Sequence, residues 1–286
     1  MIKQLLARLY RRFFPVTTPV VQFAKSRFGQ VYNLKADAPD HTDVVLKIPA
    51  DAFPIGPTAD LRPLCPPIYN QGRTGSCTGN AAAAAFEFLQ LAELRTKAAV
   101  GSEVFDPSKY EPASRLFIYY NERRLNHDTG VDAGATLRDA IKSLLYWGAC
   151  PESVWPYIES AALTVPSKEA YHEAIKHRIS KYYRYTDLES IKHSLAAGFP
   201  VIFGITIYQS FESDDVAETG IVPMPIANEK CLGGHALMMV GYDDAKQHVI
   251  VRNSWGTEWG DKGYFTLPYA YITNPNLAGD FWTIRR

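Results

Sequence analysis

The stretch Asn253-Ser-Trp-Gly-Thr-Glu-Trp-Gly-Asp-Lys-Gly-Tyr-Phe265 ends one predicted strand and turns through glycines and tryptophans into another. Residues 248–253 and 263–266, on either side of the turn, are short, β-branched or aromatic runs bounded by glycine or aspartate, a pattern typical of strands. Asn253 thus stands at the end of a strand, and Trp255 is near enough to keep water from a hydrogen bond that Asn253 makes. The stretch predicts a sheet that presents a shielded side-chain amide.

A histidine lies upstream of this stretch, at the start of a further predicted strand. His235 follows Gly233-Gly234 and opens the apolar run 236–242, and a turn at 243–247 connects that run to the strand ending at Asn253. A hairpin with this connection brings the two side chains together, so that the asparagine carbonyl can fix the imidazole tautomer. A histidine at a strand start is also a common structural residue, and the pattern alone leaves both interpretations open.

The candidate nucleophile lies in the first half of the chain. The tight turn Gln71-Gly-Arg-Thr-Gly-Ser-Cys-Thr-Gly-Asn80 precedes residues 81–97, where five consecutive alanines favour a helix. Cys77 is therefore expected at the first turn of that helix, where unpaired N–H groups and the helix dipole favour a thiolate. A buried structural cysteine is the alternative. Gly75 and Gly79, which let the backbone pass close to another group, favour a reactive one.

The remaining pattern divides the chain into a helix-rich first half and a strand-rich second half without internal repeats. Ser114 and Ser167 can each cap a helix. This organisation favours an α+β fold with two lobes and a ligand cleft between them. The predicted helices are 81–97, 114–124, 136–147, 167–177 and 190–196, and the predicted strands are 201–208, 236–242, 248–253, 263–266 and 281–284.

Charge is unevenly distributed along the 286 residues. The chain has 30 basic and 30 acidic side chains, but residues 1–36 contain seven of the basic ones and no acidic one. The remainder is acidic, which gives no reason to expect nucleic acid as a partner. Residues 2–14 predict a basic amphipathic helix and residues 14–60 an extended arm. Two arginines interrupt the apolar stretch, so the segment matches a signal peptide poorly, and the sequence leaves open whether the protein is cytoplasmic or exported by another route.

Four motifs together resemble the papain-like cysteine proteases, in a bacterial branch of that family. They are Gln71…Gly75-Ser-Cys77, Gly234-His235-Ala236, Gly241-Tyr242-Asp243 and the stretch from Asn253 to Phe265. The order Cys, His, Asn is that of the family, and the similarity covers roughly residues 60–284. It implies an α+β, papain-like two-lobed fold, with a helical lobe and an antiparallel β-barrel-like lobe that enclose the active-site cleft.

The resemblance also implies a role for each matching residue. Cys77 would be the nucleophile, His235 the base and then the acid, and Asn253 the residue that orients His235. The side-chain amide of Gln71, with the Cys77 backbone N–H, would stabilise the oxyanion. Small residues at the pocket for the second residue before the scissile bond suggest room for a large apolar side chain. The implied substrate-binding residues are Gly134, Gly204, Gly234, Ala236 and Trp255.

The activity so implied is that of a cysteine endopeptidase, which cleaves a peptide or protein substrate through an acyl-enzyme, without cofactor or metal, as a monomer. Two alternatives use the same fold. One is another acyl-transfer enzyme, a transglutaminase or deamidase, against which Asn253 argues because those enzymes usually carry aspartate there. The other is a degenerate protease kept as a binding module, although the four reacting groups are all present.

Thr74 stands where eukaryotic members of the family have a cysteine that forms a disulfide beside the nucleophile. That disulfide is therefore missing. One disulfide among Cys65, Cys150 and Cys231 has three pairings, and the sequence does not choose between them.

Residues 1–58 are expected to form a basic N-terminal arm that serves as a short pro-segment over the cleft. The peptidase domain would then be residues 59–286, with a helical lobe at about 60–175 and a β lobe at about 176–286. A positive arm would dock on an acidic body. The alternatives are contact of residues 2–14 with an anionic membrane surface and a weak targeting signal.

Overall fold

The computed structural model describes residues 26–101, 104–106 and 109–286. The amphipathic helix predicted at residues 2–14 lies outside these residues. No helix in the described part of the chain is both long and apolar enough to cross a membrane.

The predicted helices are confirmed, with shifted ends. Ser114 and Ser167 cap their helices as expected, each through its hydroxyl on the backbone N–H three residues later, at 3.1 Å. The helices are α1 Cys77–Ala99, α2 Arg115–Leu125, α3 Leu137–Tyr146, α4 Lys168–Ala174, α5 Leu188–Ala196, α6 Asp214–Thr219 and α7 Tyr269–Ile272.

Helix α1 lies at the centre of the fold, and every residue from Cys77 to Leu89 is buried. Its alanines let it approach the sheet closely. Gly79 does the same on the other side, since a Cβ there would lie 2.8 Å from Arg115 O of α2. The first turn of α1 is thus fixed between the two lobes, which holds Cys77 in place.

The strands are β1 Thr58–Asp60, β2 Lys181–Tyr185, β3 Val201–Tyr208, β4 Cys231–Asp243, β5 His248–Arg252, β6 Tyr264–Pro268 and β7 Ala278–Arg285. They form one antiparallel sheet in the order β2-β7-β3-β4-β5-β6, with β1 paired to β4. All five predicted strands are present, and the pattern did not predict the short strand β1 or the edge strand β2.

The α+β, papain-like two-lobed expectation is confirmed, but the sheet is not closed into a barrel. Its two outer strands do not pair with each other in the described part of the chain. Short bridges cover them instead: Val45 pairs with Arg184 on β2, and Ile221 pairs with Thr266 on β6. Covered edges need no closure to be protected from pairing with other chains.

Residues 26–57 form no helix and run across both lobes in a mainly extended conformation. Their first part, residues 26–35, follows the groove between the lobes and is called here the cleft segment. The last part of this segment leads into β1, and the pairing of β1 with β4 attaches the arm to the sheet. The arm is therefore in contact with the body along its described length.

Candidate active site

Cys77 and His235 meet where α1 abuts β4. Cys77 is the first residue of α1, and its thiol lies beside the backbone N–H of Ala236, the residue after His235. Both Cys77 and His235 are fully buried. The sheet register that pairs Gly204 with Ala236 holds this part of β4 in the middle of the sheet.

The imidazole of His235 is held by the end of the neighbouring strand. Its Nε2 lies 2.9 Å from Asn253 Oδ1, which also accepts from the backbone N–H of Ser254 at 2.8 Å. A carboxamide oxygen only accepts, so Nε2 carries the proton and Nδ1 keeps its lone pair. Nδ1 is buried and has no hydrogen-bond partner among the described residues. The histidine therefore offers a free basic nitrogen inside the cleft.

Trp255 shields this pair as the sequence suggested. Its indole stacks on the imidazole with ring centroids 5.0 Å apart and an angle of 28° between the planes. The stacked ring keeps water from the His235–Asn253 hydrogen bond. It also limits rotation of the imidazole.

Gln71 is buried six residues before Cys77 and is held at both ends of its amide. The hydroxyl of Ser254 donates to Gln71 Oε1 at 2.6 Å, and Gln71 Nε2 donates to Thr74 O at 3.0 Å. The carbonyl oxygen of Thr74 only accepts, so it fixes which end of the amide carries the NH₂ group, and the Ser254 hydroxyl then donates to the oxygen at the other end. One of its two hydrogens remains available for another acceptor.

A second polar group supports the loop before Cys77. The carboxylate of Asp132 accepts from Gly75 N at 2.9 Å and from the Tyr119 hydroxyl. The oxygen of the same hydroxyl accepts a hydrogen bond from the backbone N–H of Gly134 at 3.2 Å. Asp132 and the Tyr119 hydroxyl thus connect the nucleophile loop to Gly134 within the helical lobe.

The cleft segment lies directly on these residues. Tyr32 is buried, and its ring is 6.1 Å from that of His235 and 5.9 Å from that of Trp255. Asn33 follows against Gly75 and Gly134, where a Cβ on either glycine would clash with it. The protein's own arm therefore covers the candidate nucleophile and base.

Leu34 enters the pocket that Gly204 and Gly234 form. A Cβ on Gly204 would lie 2.6 Å from Leu34 Cδ2, and Leu34 N donates to Gly234 O at 3.1 Å. On the helical-lobe side of the cleft, Lys35 N donates to Ala135 O at 2.9 Å. The backbone hydrogen bond to the arm is therefore made by Ala135, the residue after the predicted Gly134. Beside Leu34 a groove of about 370 Å³ continues along Ile205 and Gly279, which leaves room for a larger apolar side chain.

On the other flank of His235, the arm is held by a buried carboxylate. Glu212, at the end of the 3-10 turn Gln209–Glu212, is 4% exposed. It accepts from the Tyr32 hydroxyl at 2.6 Å, from Arg27 N at 2.7 Å and from the Ser26 hydroxyl. In the described part of the chain all its hydrogen-bond donors belong to the cleft segment.

Burial under the arm keeps the reacting groups neutral. It raises the pKa of Cys77 to about 12, although the nearby backbone N–H groups oppose the shift. Burial also lowers the pKa of His235 to about 4, while the bond to Asn253 acts in the opposite direction. Both shifts oppose proton transfer from the thiol to the imidazole while the arm covers the site.

Sequence reasoning missed several residues of this site. Ser254 was inside a quoted motif, and its position beside Asn253 was a usable signal. Asp132, Glu212 and the Tyr32–Leu34 segment carry no local signal, because their partners are distant in the sequence. All four cysteines are free thiols in the structure, so none of the three possible disulfides among Cys65, Cys150 and Cys231 is formed.

A two-lobed fold with a thiol, an asparagine-bound imidazole and a peptide-filled cleft defines a cysteine peptidase. The sequence model of the papain family of cysteine proteases matches residues 57–277, and the chain therefore belongs to that family. The family prediction is confirmed, and the reaction class is peptide-bond hydrolysis.

Two relatives and two solved structures illustrate how similar this chain is to known proteins. An uncharacterized peptidase C1-like protein of Acanthamoeba polyphaga mimivirus is 41% identical over 225 residues, which are 76% of this chain and 68% of that protein. Cathepsin B-like CP3 of Giardia intestinalis is 29% identical over 211 residues, 71% of this chain and 64% of that protein. The chain thus spans about two thirds of the length of these relatives.

Among solved structures, xylellain, a cysteine protease from Xylella fastidiosa, is 36% identical with a TM-score of 0.80, covering 93% of this chain and 99% of that one. The procathepsin B S9 of Trypanosoma congolense is 15% identical with a TM-score of 0.69, covering 99% and 98% of the two chains, and shares the fold.

Proposed function

We propose that the protein is a cysteine endopeptidase made as a zymogen. Cys77, as a thiolate, attacks the scissile carbonyl, and a carbon–sulfur bond forms. His235, holding the thiol proton, donates it to the leaving amine as the carbon–nitrogen bond breaks. His235 then takes a proton from water, which hydrolyses the thioester and frees Cys77. Asn253 keeps the imidazole in the tautomer that this sequence requires.

In this proposal the oxyanion is stabilised by two N–H donors. One is the backbone N–H of Cys77 at the start of α1, and the other is the Gln71 amide that Ser254 orients. The carboxamide is held before substrate arrives, so little reorganisation is needed when negative charge develops.

The observation that carries the proposal is the extended peptide in the cleft. Residues 32–35 pass Cys77 and His235 with Tyr32 on the Trp255 flank and Leu34 in the glycine-lined pocket. Both flanks of the site are therefore open to a continuous chain, which favours an endopeptidase over an exopeptidase.

The direction of the arm favours inhibition over cleavage. In a substrate, the residue in the Leu34 pocket precedes the scissile bond, and the residue beside Trp255 follows it. The arm runs the other way, because Tyr32 precedes Leu34 in the chain. This supports a pro-segment function within the basic arm of residues 1–58, ahead of a peptidase domain at 59–286.

The activity is tested with a panel of internally quenched peptides and the chain freed of its arm by limited cleavage. We expect peptides with leucine two residues before the cut to be hydrolysed about 10 to 100 times more efficiently than those with glycine, because the side chain is buried on binding. Gly204→Val should remove most of that preference by filling the pocket. Transfer to an added amine, or deamidation without hydrolysis, would instead support the acyl-transfer alternative.

Glu212→Gln is expected to loosen the arm in the full chain. The three hydrogen bonds use both carboxylate oxygens, and glutamine replaces one of these with an NH₂ group that cannot accept, which should raise alkylation of Cys77 by iodoacetamide about tenfold. The rate is read at Cys77 by peptide mass mapping within minutes of mixing.

Asp214→Asn is the matched control for this substitution. Asp214 pairs with Arg27 of the same segment, but its side chain is 81% exposed. An exposed pair contributes little, so the labelling rate should change less than about twofold. Equal rates in the two variants would contradict a role for Glu212 in holding the arm.

A further inference from the structure

We infer that the arm has two parts with different fates. Only the cleft segment and the residues before it leave on activation. Residues 37–57, named here the strap, stay as a permanent part of the mature peptidase. The structure assigns the processing site to residues 35–37. The inference rests on the proposed function in one respect, that activation requires an empty cleft.

The strap bridges the two lobes through a buried carboxylate. Asp43 accepts two hydrogen bonds from Arg138 of α3, at 3.0 and 2.6 Å, and one from Arg184 of β2 at 3.0 Å. The side chains of Asp43 and Arg138 are 4% and 8% exposed. Within the described ranges, every hydrogen-bond acceptor of the Arg138 guanidinium lies in the strap. Loss of the strap would leave this cation without an acceptor.

The start of the strap makes a second cross-lobe contact. Asp37 accepts from the indole N–H of Trp282 in β7 at 2.8 Å and from the backbone N–H of Arg138 at 3.1 Å. Its own backbone N–H donates to Asp280 at 2.8 Å. Two aspartates of the strap therefore connect α3 to β2 and β7 and fix the relative position of the cleft walls.

The middle of the strap covers the free edge of the sheet. Arg184 N donates to Val44 O and Leu46 N donates to Arg184 O, both at 2.9 Å. Ile48 N continues this contact to the Ser190 hydroxyl at 3.0 Å, and the side chains of Leu46 and Ile48 pack on the core. Removing the strap would expose an unpaired edge and apolar surface together.

The boundary between the two parts falls at Ala36. Residues before it occupy the site that a substrate must enter, whereas none of the strap's partners is a proposed catalytic residue. Lys35 and Ala36 are exposed, and Asp37 is buried again. The charge also changes here, since residues 1–36 contain no acidic side chain and Asp37 is the first. The basic part is the one that leaves.

The inference is tested in the full chain carrying Cys77→Ala, with two inserted recognition sequences for a site-specific protease. One insertion lies between Lys35 and Ala36, and the other between Ala50 and Asp51 in an exposed turn. Both cuts are made after folding, and size-exclusion fractions of the folded body are analysed by mass spectrometry. We expect residues 1–35 to dissociate and residues 36–50 to remain with the body.

Asp43→Asn in the doubly cut chain should release residues 36–50 and shows that release is detectable. A strap that separates from a still folded body, without this substitution, overturns the inference.

The active chain gives an independent measurement, because its mature N-terminus should lie at residues 36–37, and a start at or beyond residue 58 contradicts the proposal. Cutting at residue 35 should raise peptide hydrolysis at least about tenfold, and the second cut should change it less than twofold. Retention of the strap is measured by mass spectrometry, so this result does not depend on whether the protein has peptidase activity.

Discussion

Replacing Cys77 with alanine is expected to lower kcat/KM for peptide hydrolysis by roughly 10⁴-fold or more, because the proposed acyl-enzyme forms on its thiol. The change should leave the fold intact. Cys77 already packs in a fully buried position at the first turn of α1, followed by the alanine-rich part of that helix. Thermal unfolding checks this directly.

The measurement compares both proteins after the arm has been cut between Lys35 and Ala36, so that self-processing does not influence the result. An epoxide reagent that alkylates thiolates should label the active enzyme at Cys77 and inactivate it in parallel. Cys231→Ala is the control, since Cys231 is exposed and is also a free thiol. That variant should keep full activity. Activity that persists without Cys77 would refute the assignment of the nucleophile.

The covered state should resist the same reagent. With the arm in place, burial raises the pKa of Cys77 and lowers that of His235, so both groups are neutral near pH 7. A neutral thiol is a poor nucleophile. In the proposed zymogen, inhibition by the arm would therefore have two components, which are exclusion of substrate and suppression of the thiolate.

Much of the fold could be predicted because its signals are local. Ser114 and Ser167 mark the starts of their helices, because each caps a backbone N–H three residues later. The strands of the second half are bounded by residues that break strands. Strand β2 was missed because Lys181–Tyr185 reads Lys-Tyr-Tyr-Arg-Tyr, without alternation of apolar and polar residues, and most of it is only half-buried. Its partner on the outer side is the strap, which no local pattern reveals.

The site was predictable to the same degree. Cys77, His235 and Asn253 lie in motifs whose spacing is set by one helix start and one hairpin. Glu212 could not be found in this way, since its donors lie about 180 residues away in an arm that has no periodic pattern. The path of the arm depends on such contacts throughout.

Charge gave a partial indication of that path. The basic excess ends at the boundary proposed for the cleft segment, and Arg27 and Lys35 pair with Asp214 and Asp128 of the acidic body. Exposed pairs of this kind are weak. The stronger hold comes from the buried Glu212 and from apolar burial of Tyr32, which net charge does not report.

Gln71→Ala is expected to reduce kcat about 10²- to 10³-fold with a smaller change in KM, because an oxyanion donor acts mainly in the transition state. Alkylation of Cys77 by a simple reagent such as iodoacetamide should continue at a similar rate, since that reaction forms no oxyanion. This contrast separates loss of the donor from general damage to the site.

Ser254→Ala distinguishes the donor from the residue that positions it. The Ser254 hydroxyl donates to Gln71 Oε1 at 2.6 Å, and without it the amide is held only through its bond to Thr74 O, so its free N–H is less well directed. We expect kcat to fall by about tenfold, less than for loss of the amide itself, and the double variant to be no worse than Gln71→Ala alone. Additive losses in the double variant would mean that the two residues act independently. A Gln71→Ala enzyme within threefold of the wild type would leave the backbone N–H of Cys77 as the only assigned oxyanion donor.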